Sequence, residues 1–262
     1  MLQTSPASHP AAAPRGRNVI AVASGKGGVG KTWLAITLSH ALARAGKKTL
    51  LFDGDLGLAN VDIQLGLMPE RDLGAVVAGR SRLEDTVTSY REGGFDIIAG
   101  KSGSGSLASL ERARLTELRD DLLSLARRYD RVVLDLGAGV AAGVRMLAGT
   151  GRTTLVVTTD EPTALTDAYA FIKLMATQGR GEDVRVLVNQ AESLADGKRT
   201  YGRLRRACEG FLKFAPPLAG VVRRDDKVKD AIRRQMALLQ RHPTSAAATD
   251  VERVAKKLGG GP

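Results

Sequence analysis

The stretch Ser24-Gly-Lys-Gly-Gly-Val-Gly-Lys-Thr32 constrains this chain more than any other. It follows the apolar run Val19 to Ala23 and opens into a helical pattern at Trp33, which places it at a strand-to-helix turn. Backbone N–H groups converge there with the positive end of the helix dipole, and such a turn holds phosphate. Two motifs share the letters. Gly25, Gly27 and Gly30 spell the dinucleotide fingerprint G-x-G-x-x-G, while Gly25 to Thr32 spell G-x-x-x-x-G-K-[ST], the P-loop. A dinucleotide site has no use for a lysine and a hydroxyl directly after the last glycine, whereas a triphosphate site needs a cation on the β/γ-phosphates and an oxygen on Mg²⁺. Lys31 and Thr32 supply both. The alternative is a Rossmann oxidoreductase with Asp53 as the acid at the end of the next strand.

At 262 residues the chain suits one large α/β domain rather than two. Its single cysteine, Cys208, excludes an internal disulfide framework and a cysteine-clustered metal site, and reads as a small buried apolar residue. Asp135 and Arg145 interrupt the longest apolar candidate near Val132 to Ala148, and the N-terminus shows no basic segment followed by an apolar one. The expected location is the cytoplasm. The formal charge of +11 is concentrated, with thirteen Lys and Arg against four Asp and Glu between Lys198 and Arg241. That region is expected to meet an anionic surface: nucleic acid, acidic lipid or acidic protein.

Residues 1–17, rich in Ala, Pro and Ser, read as a disordered tail, 18–258 as the folded domain, and 259–262 as a flexible end. Strands are expected at Val19 to Ala23, Lys48 to Phe52, Phe95 to Ala99, Val132 to Leu134, Thr153 to Thr158, Val184 to Val188 and Leu218 to Val222. Helical spacing runs through Leu107 to Tyr129, and further helices begin at Pro162 and near Asp225 and Thr249. This alternation predicts a single P-loop NTPase domain of the α/β class. Its central sheet is mostly parallel with helices on both faces, and the site lies at the carboxyl ends of the strands.

Strand ends then supply acids. Asp135, before Gly137-Ala138-Gly139, has the position of a Walker-B aspartate for Mg²⁺, and Asp53 and Asp55 flank Gly54 in a turn able to reach metal and water. Here the residues carry a resemblance. Lys26 within G-K-G-G-V-G-K-T resembles the extra lysine of the deviant Walker-A ATPases of the MinD/ParA group, and D-G-D-L-G-L-A-N-V-D (Asp53 to Asp62) resembles that group's second acidic motif. With D-L-G-A-G (Asp135 to Gly139), E-P-T-A-L-T-D-A-Y (Glu161 to Tyr169) and V-N-Q (Val188 to Gln190), the chain is similar to the flagellar-number branch called FlhG or FleN.

That resemblance implies an ATPase, stimulated by a partner, whose slow hydrolysis times an ATP-dependent homodimer. Gly25, Lys26, Gly27, Gly28, Val29, Gly30, Lys31, Thr32 and Trp33 would surround ATP, with Asn189 on adenine. Lys26 would reach the nucleotide of a second subunit, while Lys31 acts in cis. Thr32, Asp53 and Asp135 would serve Mg²⁺, and Asp55 the hydrolytic water. The implied partner is a basal-body or C-ring component, a signal-recognition-type GTPase or a transcription activator, at the inner membrane or cell pole. A ParA-like partitioning ATPase is the alternative in the same class. The chain departs from the group's pattern at Asp160, Leu136 and Gln190. Its last apolar stripe, Val251, Val254, Ala255 and Leu258, reads as a closing core helix, with membrane contact the less favoured reading. In the basic region, a helix would gather Arg199, Arg203, Arg206 and Lys213 on one side and pack Tyr201, Leu204, Cys208, Phe211 and Leu212 on the other.

Overall fold

Parallel strands covered on both faces read as unbroken apolar runs, and such runs build the centre of this molecule. The computed structural model describes residues 15–55, 57, 59–100 and 110–260. Its strands are β1 (Gly16–Ala23), β2 (Thr49–Gly54), β3 (Val87–Tyr90), β4 (Phe95–Ile98), β5 (Arg131–Leu136), β6 (Gly151–Thr158), β7 (Val184–Ala191) and β8 (Leu218–Arg223). Among the described residues they form one eight-stranded sheet in the order β3-β4-β2-β5-β1-β6-β7-β8. All neighbours run parallel except β3, which pairs antiparallel with β4 at the sheet edge. No apolar run announces β3, a half-buried Val-Thr-Ser-Tyr, and the sequence reading missed it.

The helices are α1 (Lys31–Arg44), α2 (Val61–Leu65), α3 (Leu73–Val77), α4 (Arg112–Ala126), α5 (Ala142–Ala148), α6 (Pro162–Thr177), α7 (Leu194–Leu212), α8 (Asp226–Arg233), α9 (Leu238–Arg241) and α10 (Ala246–Gly259). Side chains alternate across the sheet with period two. Val19, Ala21 and Ala23 of β1 face the layer containing Leu118 and Leu122 of α4, Phe171 of α6 and Leu204 of α7. Ile20 and Val22 face Leu34 and Leu38 of α1 and Val251 and Val254 of α10. Each buried Leu, Val or Phe contributes about 1.5–3 kcal/mol, so two such layers supply the main driving force.

Several boundaries move. β1 starts at Gly16, taking two residues from the expected tail, and residues 1–14 lie outside the described set. α10 runs to Gly259, one residue into the expected end, and 261–262 lie outside the described residues. The helical reading from Leu107 starts instead at Arg112, with 107–109 also outside. The helix expected near Thr249 begins at Ala246, because the Ser245 hydroxyl accepts the Ala248 N–H and caps it there.

The expected single basic face does not form. Leu204 and Cys208 anchor α7 on the α4–α6 side of the sheet, whereas Ala231 of α8 packs on the α1–α10 side, so the Lys198–Arg241 charge is divided between two faces. Lys213 leaves the stripe as the left-handed C-cap of α7, with φ 56°. Phe211, expected to pack, is 80% exposed, meeting Tyr169 edge-on at 6.3 Å between ring centres. No helix among the described residues is long and apolar enough to cross a membrane.

Candidate functional site

β1 lies between β5 and β6 in the sheet, so the turn leaving β1 opens at the carboxyl ends of the strands, where chain direction around the sheet reverses. The turn is tightly built. Gly28 and Gly30 have φ of 80° and 89°, conformations that favour glycine. A Cβ on Gly25 would stand 2.3 Å from the Asp167 carbonyl oxygen of α6, and one on Gly30 2.5 Å from the Asn189 Nδ2. The Ser24 hydroxyl donates to the Lys26 carbonyl at 2.6 Å, and Gly139 N–H donates to the Ser24 carbonyl at 2.9 Å, tying the loop to the segment after β5. From β7, Asn189 Nδ2 donates to the Val29 carbonyl at 2.8 Å and Gln190 Nε2 to the Gly28 carbonyl at 3.3 Å. Gln190 holds this place from a left-handed backbone, φ 58°.

The two lysines of the loop have different surroundings. Lys31, at the start of α1, is buried, and desolvation lowers its pKa against the opposing pull of Asp135 and Asp55. Lys26 sits at the surface, where its Nζ donates to Glu161 Oε2 at 2.5 Å and Thr163 Oγ1 at 2.8 Å. Those residues begin α6, 135 positions away in sequence. The E-P-T motif and the helix expected from Pro162 marked this segment in the sequence, but neither Glu161 nor Thr163 was given a task there.

Asp53 and Asp135 are register partners on β2 and β5, and both are buried. Burial raises both pKa values, and their mutual proximity adds to the rise at Asp135. Their partners differ. Asp53 Oδ1 accepts the Asp55 N–H at 3.1 Å and its Oδ2 accepts the N–H groups of Asn60 and Val61 at 3.2 Å, so it anchors the loop that starts α2. Both its oxygens thus carry backbone N–H groups at the place where the sequence reading expects a metal acid. The Thr32 hydroxyl and Lys31 pull Asp135 the other way, yet neither Asp135 oxygen meets a donor in hydrogen-bonding geometry. Asp55 lies across from the segment after β5, since a Cβ on Gly137 would stand 3.2 Å from its Oδ1. Leu136 is buried in the core, where its side chain approaches Gly54, and Asp160 is exposed.

A cavity of about 280 Å³ opens beside the loop, between Gly28, Gly30, Trp33, Asn189 and Gln190 on one side and α8 on the other. Lys31 and Thr32 do not line it. A glycine cradle, a buried lysine and a buried carboxylate without a partner fit a magnesium nucleotide. A larger cleft of about 600 Å³ lies away from the loop, between Arg82, Arg114 and Arg128, whose guanidiniums pair with neighbouring carboxylates. The α8 wall of the smaller cavity escaped the sequence reading, which expected a helix near Asp225 and counted its charge but gave it no part in the site.

The family model described as "CobQ/CobB/MinD/ParA nucleotide binding domain" matches residues 20–239, and the chain belongs to this family as a P-loop ATPase of the MinD/ParA type. Within that class the chain is 38% identical over 244 residues to the antiactivator FleN of Pseudomonas aeruginosa, covering 93% of this chain and 87% of FleN. It is 28% identical to the flagellum site-determining protein YlxH of Helicobacter pylori, over 91% of this chain and 81% of YlxH. Its fold superposes with a TM-score of 0.72 on the septum site-determining protein MinD of Pyrococcus horikoshii, complexed with Mg-ADP, at 25% identity over 92% and 96% of the two chains. The family settles the choice of motif in favour of the P-loop.

Proposed function

We propose that this chain is an ATP-driven dimerising switch that sets flagellar number or placement, or restrains flagellar gene expression. The observation that carries the switch is the division between two lysines of one loop, Lys31 buried beside the acids and Lys26 outside on α6. Lys31 and Thr32 hold the phosphate and metal end in cis. Asp135 serves as the metal acid, Asp53 fixes the following loop, and Asp55 orients the attacking water. Asn189 keeps Val29 in place with its nitrogen and offers Oδ1 to adenine. Magnesium, when bound, neutralises charge on the phosphates as they separate. Lys26 leaves Glu161 for the nucleotide of a second copy, so loss of the γ-phosphate weakens the dimer. Similarity to FleN and YlxH supports the flagellar setting. The partner is a basal-body or C-ring component, a signal-recognition-type GTPase or a transcription activator. The basic surfaces of α7 and α8 offer contacts for an anionic partner or, at the cell pole, the inner membrane.

Asp55→Ala protein with ATP and Mg²⁺ is expected to dimerise persistently in light scattering and to retain its flagellar partner in an ATP-dependent pull-down. Monomers under saturating ATP would remove the dimer. ATP-dependent binding to DNA with a steep salt slope, in place of a flagellar partner, would favour partitioning instead.

A further inference from the structure

β8 is one edge of the sheet, with β7 beside it on one side and no strand on the other among the described residues. An open edge presents backbone N–H and C=O groups with which another chain can pair. Near its end, the Arg224 N–H donates inward to the Ala191 carbonyl of β7 at 2.8 Å, while the Arg223 N–H turns outward to Asp250 Oδ2 at 3.1 Å. Successive peptide groups alternate in direction, so the N–H and C=O of Val221 also face outward. Beyond Val221, the Ala219 carbonyl accepts Lys257 Nζ at 3.2 Å. Asp250 and Lys257 thus cover the groups on either side, and no side chain among the described residues bonds to the backbone of Val221.

This edge floors a groove of about 470 Å³ between Leu194 and Lys198 of α7 and Arg253, Val254, Lys256 and Lys257 of α10. Four cations line it against one carboxylate, Asp250, which Arg223 and Arg253 already neutralise. Lys198 and Lys256 are exposed and take part in no ion pair among the described residues. A donor and an acceptor side by side are matched by another peptide backbone, whereas a phosphate backbone offers acceptors alone. A second copy would bring the same four cations to the edge. The residues of this chain outside the described set contain no Asp or Glu, and Pro6, Pro10 and Pro14 among them lack the N–H that pairing needs.

We propose that the β8 edge is a docking site for an extended acidic segment of a partner protein, which pairs with Val221 as a short added strand and sets its carboxylates against Lys198 and Lys256. The site shares no lining residue with the cavity beside the P-loop, so it does not rest on the reading of that cavity.

The probe is a fluorescein-labelled peptide of about six residues that alternates Val with Glu, titrated into the full-length protein while anisotropy is followed. It is expected to bind, and the same peptide with Lys in place of Glu is not. Methylating its alternate backbone nitrogens removes donors and keeps the charge, and should weaken binding to the unaltered protein about ten-fold. Lys198→Glu combined with Lys256→Glu should weaken it about ten-fold as well. Bound peptide should also slow hydrogen exchange at the Val221 amide, read by nuclear magnetic resonance. Binding that ignores backbone methylation, or that leaves the Val221 amide unprotected, reduces the groove to a charged surface and overturns the proposal. Failure of the acidic peptide to bind overturns it too, leaving the lysines as guards that keep the edge unpaired. Binding of a short DNA duplex in place of the peptide, lost with the same two substitutions, would overturn it in favour of a nucleic-acid contact.

Discussion

Asp135 and Asp250 are almost equally buried, 1% and 2% exposed, and they have opposite surroundings. Asp250 Oδ2 accepts the Arg223 N–H at 3.1 Å and its Nε at 2.8 Å, while Oδ1 accepts Arg223 Nη2 and Arg253 Nη1 at 3.0 Å. With these bonds it fastens β8 to α10 and covers part of the outer edge of β8. Asp135 has no such partner on either oxygen, and Asp53 next to it adds repulsion. Burial of a carboxylate is tolerated when donors surround it and is costly when they do not. The difference separates a residue that holds the fold together from one whose environment, on the function proposed above, a cation would complete.

The largest effect should come from breaking the incomplete member. Asp135→Asn is expected to lower ATP hydrolysis at least a hundred-fold, because the proposed metal acid is gone. The same change should raise the stability of the nucleotide-free protein by about 1 kcal/mol at neutral pH, since the fold no longer has to hold a carboxyl protonated well above its ordinary pKa. Denaturant midpoints in the absence of nucleotide check the second half, and a loss of stability would show that Asp135 is structural after all. The complete member should behave oppositely. Asp250→Ala is expected to cost about 2 kcal/mol, tempered because Arg223 and Arg253 can turn to water, and to lower Tm by about 4–8 °C with ATP affinity unchanged. Loss of ATP affinity in that variant would blur the distinction between the two aspartates.

The same contrast explains what the sequence made legible. The P-loop is local: spacing within Gly25 to Thr32 and the flanking strand and helix fixed its place and its chemistry. The parallel strands were legible because burial on both faces leaves unbroken apolar runs, whereas β3 at the edge is buried on one side and carries no such signal. Partnerships across distance were not legible. Asp53, Asp135 and Asp250 are the same letter, and their surroundings come from β2, β5, β8 and α10 meeting in space. Charge counting along Lys198 to Arg241 has no third dimension, so it merged two faces of the sheet into one. Helical spacing put Phe211 among packing residues, but α7 ends at the next residue, before the neighbouring elements can cover that ring.

A smaller effect concerns the histidines, which repeat the comparison. His242 Nε2 lies 2.7 Å from Asp230 Oδ2 at the surface, while His40 is buried beside Phe95 with its Nδ1 unpartnered. Burial, helped by the charge of Arg44, pushes the His40 pKa down to about 4. A folded pKa below the unfolded one favours the neutral ring in the fold, so its stabilising share is present above about pH 6.5 and is lost as pH falls through about 4. Wild-type protein should therefore lose more stability than His40→Leu between pH 7 and 4.5 in paired denaturant titrations. Parallel losses in the two proteins would assign the acid sensitivity to carboxylates alone.

The least change in stability is expected at the surface counterpart of these buried groups, the Lys26–Glu161 pair. Its side chains are 36% and 61% exposed, and ion pairs of that kind contribute about 0–1 kcal/mol. Glu161→Gln should move the denaturation midpoint by less than about 0.5 kcal/mol, because Thr163 Oγ1 still accepts from Lys26 at 2.8 Å. Its consequence should appear in assembly instead. With the competing carboxylate neutralised, Lys26 leaves its own subunit more readily, and the ATP concentration giving half-maximal dimerisation should fall about two- to five-fold. A dimer that forms less readily would reverse the sense of the contact, making Glu161 the residue that aims Lys26 at the second copy. A stability loss above about 1 kcal/mol would instead group this exposed pair with Asp250, as part of what holds the fold.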